Sequence, residues 1–154
     1  MSVHLHVRSC YTLLQSTLTV DKIVALAKTQ GYTSVALTDF QVMHGAMAFF
    51  HACKKEGIRP IFGMEVEIVE EDTYRFILLA MDDVGFQSLL RLSTMLNIEE
   101  KKITLDDIHR AKEHLIVMTS GEGSTLETHL INEQMDLCER YLQRCKQLFR
   151  HFYV

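Results

Sequence analysis

A regular alternation between short apolar runs and longer segments with helical spacing limits the folds open to this chain. Residues 3–7, "SVALTD" ending at Asp39, "IRPIFGMEVEIV", "TYRFILLAM", "HLIVMTS" and the closing "HFYV" have the length and β-branched content of strands. Between them, Thr19 caps a helix carrying Ile23, Val24, Leu26 and Ala27, with Gly31 as its stop. Residues 44–56 carry Ala46, Met47, Phe49, Phe50 and Cys53 at helical spacing and close at Gly57. Residues 86–96 repeat with the 3.6-residue period of a core-facing helix. Thr104 then caps a short helix, and after a turn at residues 121–124 a long amphipathic helix runs to residue 150. Strand, helix, strand, helix implies an α/β fold of parallel strands joined by right-handed crossovers. Working residues in such folds gather at the carboxyl ends of strands. Here those ends carry Arg8, Ser9, Thr38, Asp39, Glu65, Thr119 and Ser120.

The 154 residues suit one domain, 1–154, and 47% hydrophobic with 23% charged residues describes an ordinary globular chain. The last run stops inside what reads as a strand, so the domain is expected to continue past 154 in a longer polypeptide. A net charge of -4 without a basic run gives no support for direct DNA contact by this segment. Cys10, Cys53, Cys138 and Cys145 form no CxxC pair and no zinc-finger spacing, which reads as idle or buried thiols in a reducing compartment. No apolar run is long enough to span a bilayer. The expected location is cytoplasmic, with no membrane partner.

"HLHVRS", residues 4–9, poses the functional question. In a strand, His4, His6 and Arg8 share one face. With Asp39 and Glu65 from other strand ends, the two imidazoles could form a ligand set for a divalent metal acting on phosphate esters. The bland alternative is a histidine satisfied within the core. A guanidinium in third place argues against the metal, because arginine is a permanent cation with no acceptor.

Three stretches resemble a known family: "VHLHVRSCYTLLQS", "VALTDFQVMHGAMAFFHACKKEGIRPIFGMEV" and "LLAMDDVGFQSLLRLSTM". Their wording and order are similar to the PHP (polymerase and histidinol phosphatase) domain. The version they most resemble opens the alpha subunit of bacterial DNA polymerase III, in its Gram-positive form. The resemblance implies a distorted (β/α)7 barrel, incomplete here because only about six strands are present. It also implies a trinuclear metal centre at the strand ends in active members. Position by position, His6 falls on the first histidine of the family's H-x-H pair and Glu65 on its glutamate after the third strand. His4 flanks the pair, and Asp39 is retained. Arg8 stands at the second histidine, Gln15 at an aspartate, Phe40 at the histidine of "TDH" and Arg75 at a further histidine. His44 falls on an aromatic position and is incidental.

Phenylalanine has no lone pair, and arginine adds repulsion. Two unit charges about 4 Å apart at an effective dielectric near 20 interact by about 4 kcal/mol, and a divalent ion doubles that. "HLHVRS" therefore reads as a disabled metal motif, with no catalytic residue and no cofactor expected in this segment. Arg8 is expected to replace the missing cation by pairing with Glu65 or Asp39, with Arg75 assisting. The resemblance implies that the parent chain is a DNA-directed DNA polymerase, a nucleotidyltransferase of DNA replication that holds Mg in a palm domain downstream. Its implied partners are the rest of the alpha chain and a proofreading exonuclease or another replisome protein. Self-association of this segment through an open sheet edge is also expected. The alternative function is an active metal-dependent phosphoesterase, either a 3'-5' exonuclease or a phosphatase of the histidinol-phosphate type.

Overall fold

A computed structural model describes residues 3–154. Its sheet has five strands in sequence order: β1 (Ser34–Leu37), β2 (Arg59–Val69), β3 (Thr73–Ala80), β4 (Leu115–Thr119) and β5 (Phe152–Tyr153). Six helices accompany it: α1 (Val20–Thr29), α2 (Ala46–Glu56), α3 (Asp83–Asn97), α4 (Leu105–His109), α5 (Thr125–Ile131) and α6 (Met135–Leu148). Local chemistry sets their ends. Thr19 accepts from the Lys22 N–H to cap α1, and Asp82 accepts from Gly85 to start α3. Thr104 and Asp107 form a reciprocal capping box at α4. Gly57, at φ 72°, ends α2 in the left-handed conformation that glycine adopts without a Cβ penalty.

Strand direction departs from the all-parallel expectation. β1 pairs parallel with β2, but β2 pairs antiparallel with β3 in the register Glu65↔Ile77, and β3 pairs antiparallel with β4. The cause is the connection at residues 70–72, where the Glu70 N–H donates to the Asp72 carbonyl. So short a link makes a hairpin, whereas a parallel return needs a crossover of a dozen residues or more. Parallel pairing resumes only between β4 and β5.

Two further expectations are corrected. Residues 3–7 form no sheet strand. Ala36 and Thr38 donate backbone N–H groups to the His4 and Val7 carbonyls, yet the Val7 N–H turns to the Thr38 hydroxyl instead of a strand carbonyl. The long terminal helix is two helices, separated where Glu133 takes φ 57°. A left-handed residue cannot continue a right-handed helix.

Helices α3 to α6 pack on β2, β3 and β4 around Met64, Val66, Tyr74, Phe76, Leu78 and Leu115. Helices α1 and α2 cover β1 through Val24, Val35, Leu37 and Phe49. The opposite sheet face holds Ile77 and Leu79, with Glu65 directly across from Ile77. Alternation along β2 puts Met64 and Val66 in the helical core and Glu65 between them on the other face.

Close packing beside the site depends on Gly63. A Cβ there lies 2.6 Å from the Leu78 carbonyl and 2.7 Å from both Leu79 and Thr38 side-chain carbons. Gly63→Ala is expected to destabilise the chain by roughly 1–3 kcal/mol through overpacking, read as a lower urea midpoint at unchanged slope.

Candidate functional site

Glu65 is the centre of the site and is fully buried. Its strand brings it beside Phe40, where an isolated parallel bridge extends the β1–β2 pairing. The Glu65 N–H donates to the Asp39 carbonyl, and the Gln41 N–H returns a bond to the Glu65 carbonyl at 2.7 Å. Arg8 reaches this carboxylate with two prongs: Nε–H donates to Oε2 at 2.7 Å and Nη2–H to Oε1 at 2.9 Å. Such a bidentate, charge-assisted contact is among the strongest polar pairs. His6 Nε2 lies 3.0 Å from Oε2. A carboxylate only accepts, so Nε2 carries the proton. On the far side, Arg75 of β3 places Nε 3.5 Å from Oε1 and 3.8 Å from a Glu67 oxygen, an ion pair without a hydrogen bond.

Asp39, also buried, is not Arg8's partner. It accepts from the Ser9 N–H at 2.6 Å, the Ser9 hydroxyl at 2.8 Å and the Thr12 hydroxyl at 2.8 Å. Thr12 Oγ1 in turn accepts from the Phe40 N–H at 3.0 Å. Neutral donors thus hold one carboxylate and cations the other. Sequence reasoning missed Thr12 altogether, since nothing about a lone threonine two residues beyond a cysteine marks it as a carboxylate donor.

The other candidate positions divide between the site and its surroundings. Gln15 accepts from Arg8 Nη1 at 3.1 Å. Phe40 lies under the Arg75 guanidinium, whose carbon is 5.0 Å from the ring centroid. His4 is elsewhere, with Nε2 3.1 Å from the Tyr32 hydroxyl and its ring edge-on to Tyr32. His44 is solvent-exposed.

These residues do not fit a metal ion. Both Glu65 oxygens accept from Arg8, the His6 nitrogen facing them is a donor, Phe40 contributes no lone pair, and Asp39 is enclosed by hydroxyl and amide donors. Among the described residues, no three His, Cys, Asp or Glu side chains are grouped to hold one.

Burial pushes the Glu65 carboxyl up, but the hydrogen bonds and charges of His6 and Arg8 outweigh it. The net result holds Glu65 below the ordinary carboxylate range, so it stays ionised at neutral pH.

Residues 4–154 match the PHP domain over nearly the whole chain. The chain belongs to that family. Curated relatives include the DNA polymerase III subunit alpha of Halalkalibacterium halodurans, 36% identical over 94% of this chain and 13% of the relative. The subunit of the same name from Bacillus subtilis is 40% identical over 83% of this chain and 12% of the relative. The PHP chain therefore spans only a small part of the length of these relatives. Among solved structures, an amidohydrolase from Chromobacterium violaceum with bound sulfate and no metal superposes with a TM-score of 0.54. It is 13% identical and covers 86% of this chain and 72% of its own, a likeness of fold. No helix among the described residues is long and apolar enough to cross a membrane.

The depressed Glu65 pKa sets a pH dependence. A carboxyl whose folded pKa lies below its unfolded value, about 4.3, contributes stability above that value and loses it as pH falls through the folded one. Wild type is therefore expected to lose more melting temperature than Glu65→Gln between pH 6 and about pH 3, where parallel curves would contradict the assignment.

Proposed function

We propose that this PHP chain is the N-terminal segment of a DNA polymerase III alpha subunit and has a structural and docking role there, in DNA replication. The observation that carries the reading is Arg8's two-pronged hold on Glu65. A hydrolytic PHP centre needs free lone pairs to bind and polarise a metal-held phosphate, and here they are committed to a guanidinium. The curated relatives named DNA polymerase III subunit alpha support the parent chain. In that chain the polymerising chemistry, with its Mg, belongs to residues outside this segment. In this reading the segment packs against the remainder of the alpha chain. It also offers a surface to a proofreading exonuclease or another replisome protein, and the location is cytoplasmic.

Metal-dependent phosphoester hydrolysis is the competing reading. The decisive assay is release of phosphate or nucleotide from a monoester and a single-stranded oligonucleotide, with Mn²⁺ or Zn²⁺ added. No release above background is expected. Manganese-stimulated release that disappears in both His6→Ala and Glu65→Ala would overturn the proposal.

β5 lies at an edge of the sheet, and its Tyr153 and neighbouring Val154 are exposed. Unpaired strand edges recruit other chains. The segment is accordingly expected to self-associate at high micromolar concentration, and light scattering showing a clean monomer there would count against it.

A further inference from the structure

We propose that the Arg8 guanidinium is a built-in cation that fastens residues 4–18 to β2 at Glu65, doing by hydrogen bonds the mechanical work of a bridging metal. The inference rests on the reading of the site as metal-free and adds what takes the metal's place.

Residues 3–7 lack a continuous sheet ladder, being joined to β1 by the backbone bonds from Ala36 and Thr38 and by the Val7-to-Thr38 side-chain bond. Leu5 and Val7 pack against the neighbouring apolar clusters and His4 meets Tyr32, while the polar attachment beyond these runs through Arg8, His6 and Ser9. Arg8 makes two bonds to Glu65, His6 adds a third, and Ser9 ties the same segment to Asp39. A metal would join such segments by collecting their oxygens, whereas the planar fork joins them by donating to oxygens.

Arg8 also organises the loop at residues 9–18. Its Nη1 donates to Gln15, and its own carbonyl accepts from the Ser16 hydroxyl at 2.9 Å. The Cys10 N–H donates to the Leu18 carbonyl at 2.8 Å and closes the loop. That loop holds Leu13 and Leu14 in solvent, Leu14 at φ 63°, a conformation that leucine rarely adopts. Little apolar burial restrains these two leucines, so the order of the loop depends on its polar anchors. Arg8 connects those anchors to Glu65, beside the bonds from Ser9 and Thr12 to Asp39. On the opposite side, Arg75 resting on Phe40 completes the charge around Glu65 without contacting the loop's anchors.

The test is amide hydrogen exchange, which reads local opening separately from global unfolding. In Arg8→Ala, exchange across residues 4–18 is expected to rise by about tenfold or more while the β3 amides keep their protection. Millimolar methylguanidinium is expected to restore protection to Arg8→Ala, and sodium chloride at equal concentration is not. Wild-type-like exchange in Arg8→Ala, or protection restored equally by sodium chloride, would overturn the inference. If Arg8→Ala does not fold, Arg8→Met with Glu65→Met, which removes the stranded carboxylate as well, is expected to fold, and its failure to do so would also overturn it. Adding Mn²⁺ or Zn²⁺ to wild type tests the underlying reading separately. Metal protection of residues 4–18 that is lost in Glu65→Gln would place a metal, not Arg8, at the fastening point.

Discussion

A fully buried carboxylate governs the arrangement of this end of the molecule. Glu65 sits between Met64 and Val66, whose side chains belong to the hydrophobic core, so strand geometry holds it on the opposite face away from water. An ionised group in that position is costly unless its charge is matched and its lone pairs are used. Arg8, His6 and Arg75 converge on it from two other parts of the chain, and their placement follows from that need. The N-terminal segment is thereby drawn to the strand ends even though it forms no regular strand.

Asp39 and Glu65 are neighbours through a backbone bond, yet they are stabilised by different physics. Asp39 takes three short bonds from a hydroxyl, a second hydroxyl and an amide, all within the reach of the turn just after residue 8. Neutral dipoles suffice because the turn surrounds it. Glu65 has no such turn and needs full cations. The consequence is chemical: neither carboxylate presents free oxygens toward a shared point. In this PHP chain the Glu65 carboxylate is held in an ion pair and the Asp39 carboxylate in a shell of neutral donors.

Much of the fold was legible in local patterns. The caps Thr19 and Thr104, the stop at Gly57 and the strand runs that begin at Ser34 and Arg59 each follow from short-range chemistry, and the elements lie where those signals put them. Strand direction was not legible in the alternation alone. "IRPIFGMEVEIV" and "TYRFILLAM" lie too close together for a crossover, and spacing, not composition, made them a hairpin. The break in the last helix was hidden as well. Glu133 is an ordinary helix former, and only its left-handed backbone divides α5 from α6.

Residue identity alone sets which chemistry the strand ends can offer. Arg8 and Arg75 supply permanent cations, Phe40 supplies a ring without lone pairs, and Glu65 and Asp39 supply the anions, since these properties belong to the side chains wherever they lie. How they pair is settled only by the folded chain. Arg8 meets Glu65 because β2 buries that carboxylate beside the N-terminal segment, while Ser9 and Thr12 reach Asp39 first across a turn of a few residues. An ion pair is selected by burial and reach in three dimensions. Residues 8 and 65 are far apart along the chain, and no local pattern records their distance in the fold.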